Sequence, residues 1–252
     1  MITLPAADIE AIERATLAAV APERVEAIDG WLLPLDPGTV GRAHSAVPLH
    51  HGEHDPSLVA IIAQRYRAAS LRPAFRLPDA PSFEAWKPAL AAAGFGREQP
   101  TLTQTGSVEG LWLLAEHADD VTLDERPDAA WMAMFLGDGL DPVDGAYRSR
   151  ALARAQGTLF ASLRQGDVTL ACGAASYAQG WLSMHGLRTA ASHRGQGLAG
   201  RLIRAMAQEA LRRGIRRAFL QVDGTNAPAL ALYRRAGMTT AWSYAYWRSG
   251  IR

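Results

Sequence analysis

Apolar positions recur at helical spacing over residues 2–20, and Pro22 marks the end of that helix. Residues 25–35 alternate as a strand, and Asp36-Pro37-Gly38 is a turn with its own chemistry. Residues 39–48 read as the return strand of that hairpin. Residues 56–69 form a helical pattern with Asp55 as its cap, and 73–77 a short strand. A helix capped by Ser82 and stopped by Gly94 covers 82–93, and 101–105 is β-rich. This first half reads as a small α/β layer of its own.

The pattern restarts at 117–120. A short strand at 121–123 leads to a helix at 127–136 with Pro127 in its first turn, broken by Gly137-Asp138-Gly139. A second helix covers 142–155. Three strands follow at 158–163, 168–177 and 181–189, joined by turns at Gln165-Gly166-Asp167 and Gln179-Gly180, which makes them antiparallel. A glycine turn then opens a helix running to Arg213 and stopped by Gly214. The chain closes with a strand at 217–222, a short helix at 227–236 between Asn226 and Gly237, and an aromatic strand at 239–247.

Composition narrows the class. The 252 residues suffice for one large domain or two small ones, and 48% hydrophobic with 20% charged residues is ordinary for a globular chain with a sizeable core. The net charge of +1 gives no global argument for nucleic acid or a membrane surface. Cys172 is alone, so no internal disulfide forms, and a reducing cytoplasm is the natural compartment. It lies in an apolar run and reads as a buried small hydrophobe. The N-terminus has no basic region followed by an apolar core, so no secretory signal is expected, and no apolar run is long enough to span a bilayer.

The chemistry concentrates between Leu187 and Arg204. There a strand meets Arg194-Gly195-Gln196-Gly197-Leu198-Ala199-Gly200 and passes straight into a helix. Such a turn aims several backbone N–H groups at one point on the positive end of a helix, which makes a diphosphate cradle. Gly195-x-Gly197-x-x-Gly200 also satisfies the dinucleotide fingerprint, with Asp223 at the end of the next strand. Against that reading, polar residues 190–194 intervene between strand and glycine, too little chain follows for further βα units, and the preceding strands are antiparallel.

Arg194-x-x-Gly197-x-Ala199, followed downstream by Asn226 to Tyr233 and Gly237-Met238, resembles the GNAT superfamily of acetyl-CoA-dependent N-acetyltransferases over roughly residues 121–247. The resemblance implies an α/β (α+β) fold of two GNAT-like domains, each a mixed, largely antiparallel sheet flanked by helices. Residues 1–118 would be a degenerate N-terminal copy without the glycine motif, and 119–252 the domain that binds acetyl-CoA. It further implies that the amides of Arg194, Gly195, Gln196, Gly197, Leu198, Ala199 and Gly200 hold the diphosphate. The pantetheine arm would pair with the strand edge at Leu187, Arg188 and Thr189, and Asn226 would touch that arm as well as cap its helix. Gly186 suggests a bulge that frees the edge.

Tyr233 matches the family tyrosine that protonates the departing thiolate. The base is less defined: many members carry a glutamate on the strand before the turn, and Trp181-Leu-Ser183-Met-His185-Gly186 has none. His185, with Ser183 on the same face, is the titratable candidate, and water relay is the other. The expected donor is acetyl-CoA, with no metal, and the acceptor a small amine or peptide N-terminus. Neither nucleic acid nor a membrane is an expected partner, and a homodimer is compatible with the chain. A non-catalytic acyl-CoA sensor is the rival from another class. His50-His51-x-x-His54 reads as a solvated loop rather than a metal site. Trp31, Trp86 and Trp131 are expected in the core or between the halves.

Overall fold

The computed structural model describes residues 4–136 and 141–250. Helix α1 (Ala6–Val20) begins after Pro5. The single strand expected over 25–35 is a hairpin, β1 (Arg24–Ile28) and β2 (Trp31–Leu35). Asp29 and Gly30 both take positive φ between them, the signature of a two-residue turn. Gly38 N–H donates to Asp36 Oδ1 at 2.7 Å, as the turn chemistry requires. The return strand shrinks to β3 (Val47–Pro48), because a 3₁₀ turn occupies Gly41–Ala43.

The first half continues with α2 (Leu58–Ala68), β4 (Ala74–Pro78), α3 (Trp86–Ala92), β5 (Phe95–Ser107) and α4 (Val108–Trp112). Ser82 does not cap α3. It sits in a separate 3₁₀ turn, and its hydroxyl donates to His51 O at 2.8 Å. The second half holds β6 (Val121–Asp124), α5 (Ala129–Ala133), α6 (Pro142–Arg154), β7 (Thr158–Gln165), β8 (Val168–Ala178) and β9 (Trp181–Thr189). Then come α7 (Leu198–Arg212), β10 (Arg217–Asp223), α8 (Ala227–Arg235) and β11 (Thr239–Ser249). Helix α5 is shorter than expected, and the Gly137–Gly139 break lies outside the described residues.

The order helix, three strands, helix, strand, helix, strand occurs twice: α1 to β5, and again α6 to β11. The sheets do not respect a division at residue 118. Strands run β4-β11-β5-β10-β9-β8-β7-β6 in one eight-stranded sheet, with β1-β2-β3 beside it. A parallel bridge, Ala46 to Phe75, joins the two. The last strands of the halves are exchanged. β5 of the first half lies between β10 and β11, and β11 of the second pairs with β4. One sheet per half is therefore corrected to a mixed eight-stranded sheet built from both halves, with the three-stranded β1-β2-β3 sheet beside it, since each half completes the other's hydrogen-bond ladder.

The largest core cluster lies under α7. Leu198, Leu202, Ile203, Met206 and Ala210 fall on one helical stripe and are buried with Ala161, Ala175, Leu182 and Leu220 of the strands. Each large aliphatic buried there contributes roughly 1.5–3 kcal/mol. Trp31 and Trp86 stack at 4.5 Å in a second cluster under α2, and Trp131 fills a third with Phe135 and Phe160. Cys172 is fully buried, which pushes its thiol up to about 12 and leaves it inert.

Residues 119–252 expressed alone are expected not to fold. β11 would lose both neighbours, and β10 would keep only a three-residue pairing with β9. Co-expression with 1–118 should restore a soluble complex. A cooperative thermal transition in the isolated fragment would contradict the strand exchange.

Candidate active site

β9 and β10 run parallel but pair only at Trp181–Arg217, Leu182–Ala218 and Ser183–Phe219. Beyond that point β10 continues to Asp223 against β5 alone, and β9 to Thr189 against β8 alone. The facing edge of β9 over residues 185–189 is thereby opened. A bulge drives the separation: β8 advances from Cys172 to Ala174 while β9 goes from Arg188 back to His185, one residue more. Gly186 takes φ +60°, and a Cβ there would meet the Phe135 ring at 2.9 Å. Leu187 packs toward the main core, Thr189 is half-buried, and the Arg188 guanidinium lies 4.5 Å over the Phe135 ring.

The glycine turn lies at the carboxyl end of this split, where open α/β sheets bind ligands. Gly195 and Gly197 both take φ +77°, and a Cβ on either would touch nothing within 4 Å. They are needed for the backbone path, and their outer side is open. Gly197 is the N-cap of the 15-residue α7 and provides no side-chain acceptor. Among the described residues, no protein acceptor meets the N–H groups of 195–200. The six amides and the α7 dipole are therefore left there without an acceptor or an anion from the described residues. Gln196 and Arg194 are exposed, and Arg194 Nε lies 3.5 Å from Thr189 O. Leu198 is buried and anchors the turn, Ala199 is half-buried, and Gly200 is buried against the Leu114 carbonyl. The matching loop before α2 is different. Asp55 Oδ1 accepts the Ser57 N–H at 2.8 Å, which puts a carboxylate at that helix start.

Asn226 Oδ1 caps α8 by accepting Ala229 N–H at 3.2 Å. Tyr233 is buried in the core cluster that also holds Leu198 and Val222, and burial pushes its phenol up to about 12. Among the described residues its hydroxyl makes no hydrogen bond, so it stays a protonated donor without a protein partner.

His185 is buried, and its Nε2 lies 2.9 Å from Ser183 Oγ, the pair the strand alternation placed on one face. Its Nδ1 has no partner. Burial first, and then the Arg42 charge, pull its pKa down to about 3, so the ring is neutral and a weak base. His185 lines a narrow cavity with Val20, Val40, Arg42, Phe135, Arg148 and Leu152. Arg42 comes from the first half and the rest of the polar lining from the second. Arg42, Phe135 and Arg148 carry no local sequence signal; only the fold brings them beside His185.

The depressed histidines carry a pH prediction. Between pH 6.5 and about 3 the unfolded chain holds a proton on His185 that the folded chain excludes, so stability falls as pH drops through that window. His51, pulled down to about 4 by burial, adds the same sign. Each ring contributes at most about 1.4 kcal/mol per pH unit. Thermal melts from pH 7 to 4 should show a falling Tm, and His185→Gln should flatten part of the fall. An unchanged slope in that variant would contradict the burial. His51 belongs to a loop that is solvated at Gly52, Glu53 and Asp55 while its three histidines are half-buried. His54 Nδ1 accepts Trp31 Nε1–H at 3.1 Å, His50 stacks on His54 at 4.2 Å, and His51 packs edge-on against Trp242. Trp31, Trp86 and Phe83 pack against the His54 ring, and among the described residues no set of three His, Cys, Asp or Glu is placed to hold a metal.

A strand pair that splays beside a bulge and ends in a glycine turn at a helix N-terminus is the geometry of a GNAT-type acyltransferase. The family model for "Probable histone acetyltransferase Rv0428c C-terminal" matches residues 6–247, and the chain belongs to that family. It is 24% identical over 244 residues to the "Uncharacterized N-acetyltransferase YobR" of Bacillus subtilis (strain 168), covering 95% of this chain and 98% of that protein. Among solved structures, a GCN5-related N-acetyltransferase from Kribbella flavida superposes with a TM-score of 0.71 at 20% identity, over 100% of this chain and 98% of the other. A tandem GNAT protein from the clavulanic acid biosynthesis pathway gives 0.58 at 15% identity, over 100% and 98%.

Proposed function

We infer that this chain transfers an acetyl group from acetyl-CoA to a primary amine, in one site formed by β9, β10, α7 and α8. The observation that carries the reading is the set of unmet amides at residues 195–200, placed at the end of the β9–β10 split. The diphosphate fits those amides, with Arg194 in reach as a further cation. The pantetheine arm, which is peptide-like, fits the opened edge at Leu187, Arg188 and Thr189 as an added strand. Asn226 stands at the α8 start to meet the same arm.

In this reading the amine attacks the thioester carbonyl directly. A backbone N–H of the β9 edge polarises the carbonyl oxygen and stabilises the charge that develops on it. The C–S bond then breaks, and Tyr233 hydrogen-bonds the departing thiolate. A phenol at about 12 facing a thiol of ordinary pKa near ~8.5 holds the sulfur by donation, without complete proton transfer. His185, being neutral, acts as a hydrogen-bonding group for the incoming amine, and the amine's proton leaves through water.

We also read residues 1–118 as a degenerate copy of the same fold. The repeated element order and the symmetric strand exchange support this. Asp55 occupies the helix start where a diphosphate would sit, so that half should not take coenzyme A in the same manner. Calorimetric titration tests the whole reading. One acetyl-CoA per chain and no NAD binding are expected, together with thiol release in the presence of an amine. Binding of NAD in preference to coenzyme A would overturn it.

A further inference from the structure

This inference rests on the acetyl-transfer reading and concerns the acceptor. We propose that the acceptor carries an anionic group, a carboxylate or a phosphate monoester, close to its reacting amine, and that Arg42 and Arg148 grip that group in the cavity beside His185.

The cavity sits between the first half's Val20, Val40 and Arg42 and the second half's Phe135, Arg148, Ala151, Leu152, His185 and Gly186. It measures about 30 Å³ and opens to solvent, so only a small group of the acceptor enters it. Its one end is the Gly186 bulge, where the β9 edge opens and the thioester is expected. Its polar lining is cationic. Arg42 uses Nη1 on Gln221 Oε1 at 3.1 Å, and its other nitrogens have no partner among the described residues. Arg148 uses Nε on Asp144 Oδ2 at 2.6 Å, and both Nη groups likewise lack a partner. Arg188, over Phe135, adds a third charge at the rim.

Among the described residues, the acids nearby do not balance them. Asp144 answers Arg148, and Glu13 is held 2.8 Å from Arg76 inside the protein with Arg42 as a further charge beside it. Asp36 is engaged by Arg154 at 2.7 Å. Arg42, Arg76, Arg148 and Arg188 thus face Glu13 and Asp144. Guanidinium groups with spare N–H donors lining one cavity match a planar or tetrahedral oxyanion. His185 supplies an independent sign of a ligand there: it lines the cavity, is only 5% exposed, and its buried Nδ1 has no hydrogen-bond partner.

The charge also serves the chemistry. An ammonium group brought beside these arginines is disfavoured by like charge, so the acceptor nitrogen gives its proton to water and stays there as the free amine. That amine forms the C–N bond, the thiolate leaves, and the second proton follows to solvent. A polyamine or a lysine-rich peptide gains nothing in this cavity and is repelled by it. The arrangement also explains the retention of the first half, since Arg42 comes from its Gly41–Ala43 turn.

The test is thiol release from acetyl-CoA by the full chain with matched acceptors. The pairs are each amino acid against its C-terminal amide, and phosphoethanolamine against ethanolamine, with spermidine and a lysine-rich peptide alongside. At least one anionic amine should exceed its neutral partner about tenfold or more in kcat/KM, as expected for charge-assisted hydrogen bonds. The amino-acid and phosphate arms separate the two sources of the anion. Arg42→Gln and, separately, Arg148→Gln should bring that ratio toward one and leave the Kd for acetyl-CoA unchanged, which a merely structural role would not do. Preference for the neutral partners, the polyamine or the peptide, or turnover of no anionic amine, overturns the proposal while acetyl-CoA binding stands. Failure to bind acetyl-CoA at all overturns the acetyl-transfer reading with it.

Discussion

Gly197→Asp is expected to raise the Kd for acetyl-CoA about 100-fold while the protein stays folded. The substitution puts a carboxylate at the α7 N-cap, where the wild-type chain has no side-chain acceptor. The new carboxylate would take the N–H groups for itself, as Asp55 does beside α2. A diphosphate would lose at least two charge-assisted hydrogen bonds, each worth about 1.5–3 kcal/mol, and meet a like charge. About 3 kcal/mol corresponds to roughly two decades in Kd. The fold survives because aspartate tolerates a left-handed backbone better than most residues, and the site is exposed with open space beyond. Calorimetric titration with acetyl-CoA, alongside a thermal melt, checks both halves of the expectation. A Kd within threefold of wild type would mean that these amides hold nothing.

Tyr233→Phe should lower kcat about 100-fold or more and leave acetyl-CoA binding and Tm almost unchanged. The hydroxyl has no hydrogen-bond partner among the described residues, so its loss orphans no buried group and the ring still fills the core. What is lost is donation to the thiolate, which forms only as the C–S bond breaks, so the effect belongs in kcat. Steady-state thiol release at saturating acetyl-CoA measures it. A variant that turns over within twofold of wild type would remove Tyr233 from the reaction.

Local chemistry made much of this chain legible. Turns of two or three residues dictated the antiparallel β7–β8–β9 run, and positive-φ glycines with an immediate helix marked the 194–200 loop. Asn226 announced the α8 start. The Asp29-Gly30 hairpin was equally local, yet the apolar residues on both sides masked it, since Trp31 to Leu35, all buried, read as one run with Arg24 to Ile28. Ser82 resembled a cap but answers a carbonyl on another loop. The histidine loop looked polar by composition, and only tertiary packing reveals that Trp31 and Phe83 pack against His54.

The exchanged strands and the acceptor cavity have no local code at all. β5 binds β10 and β11 through backbone groups that every residue carries, so nothing in Phe95–Ser107 names its neighbours. Arg42 stands 143 positions before His185 in the numbering and meets it only because the two halves share one sheet. Likewise His185 could be placed on the correct face from alternation, but its conversion from a candidate base to a neutral ring comes from burial that only the assembled fold supplies.

A crystal structure of the full chain with acetyl-CoA tests the central claim most directly. The diphosphate should lie within hydrogen-bonding distance of the amides of residues 195–200, with the pantetheine arm along residues 187–189 and the thioester at the Gly186 bulge. Density for the coenzyme beside α2, or along α7 away from its N-terminus, would contradict the account.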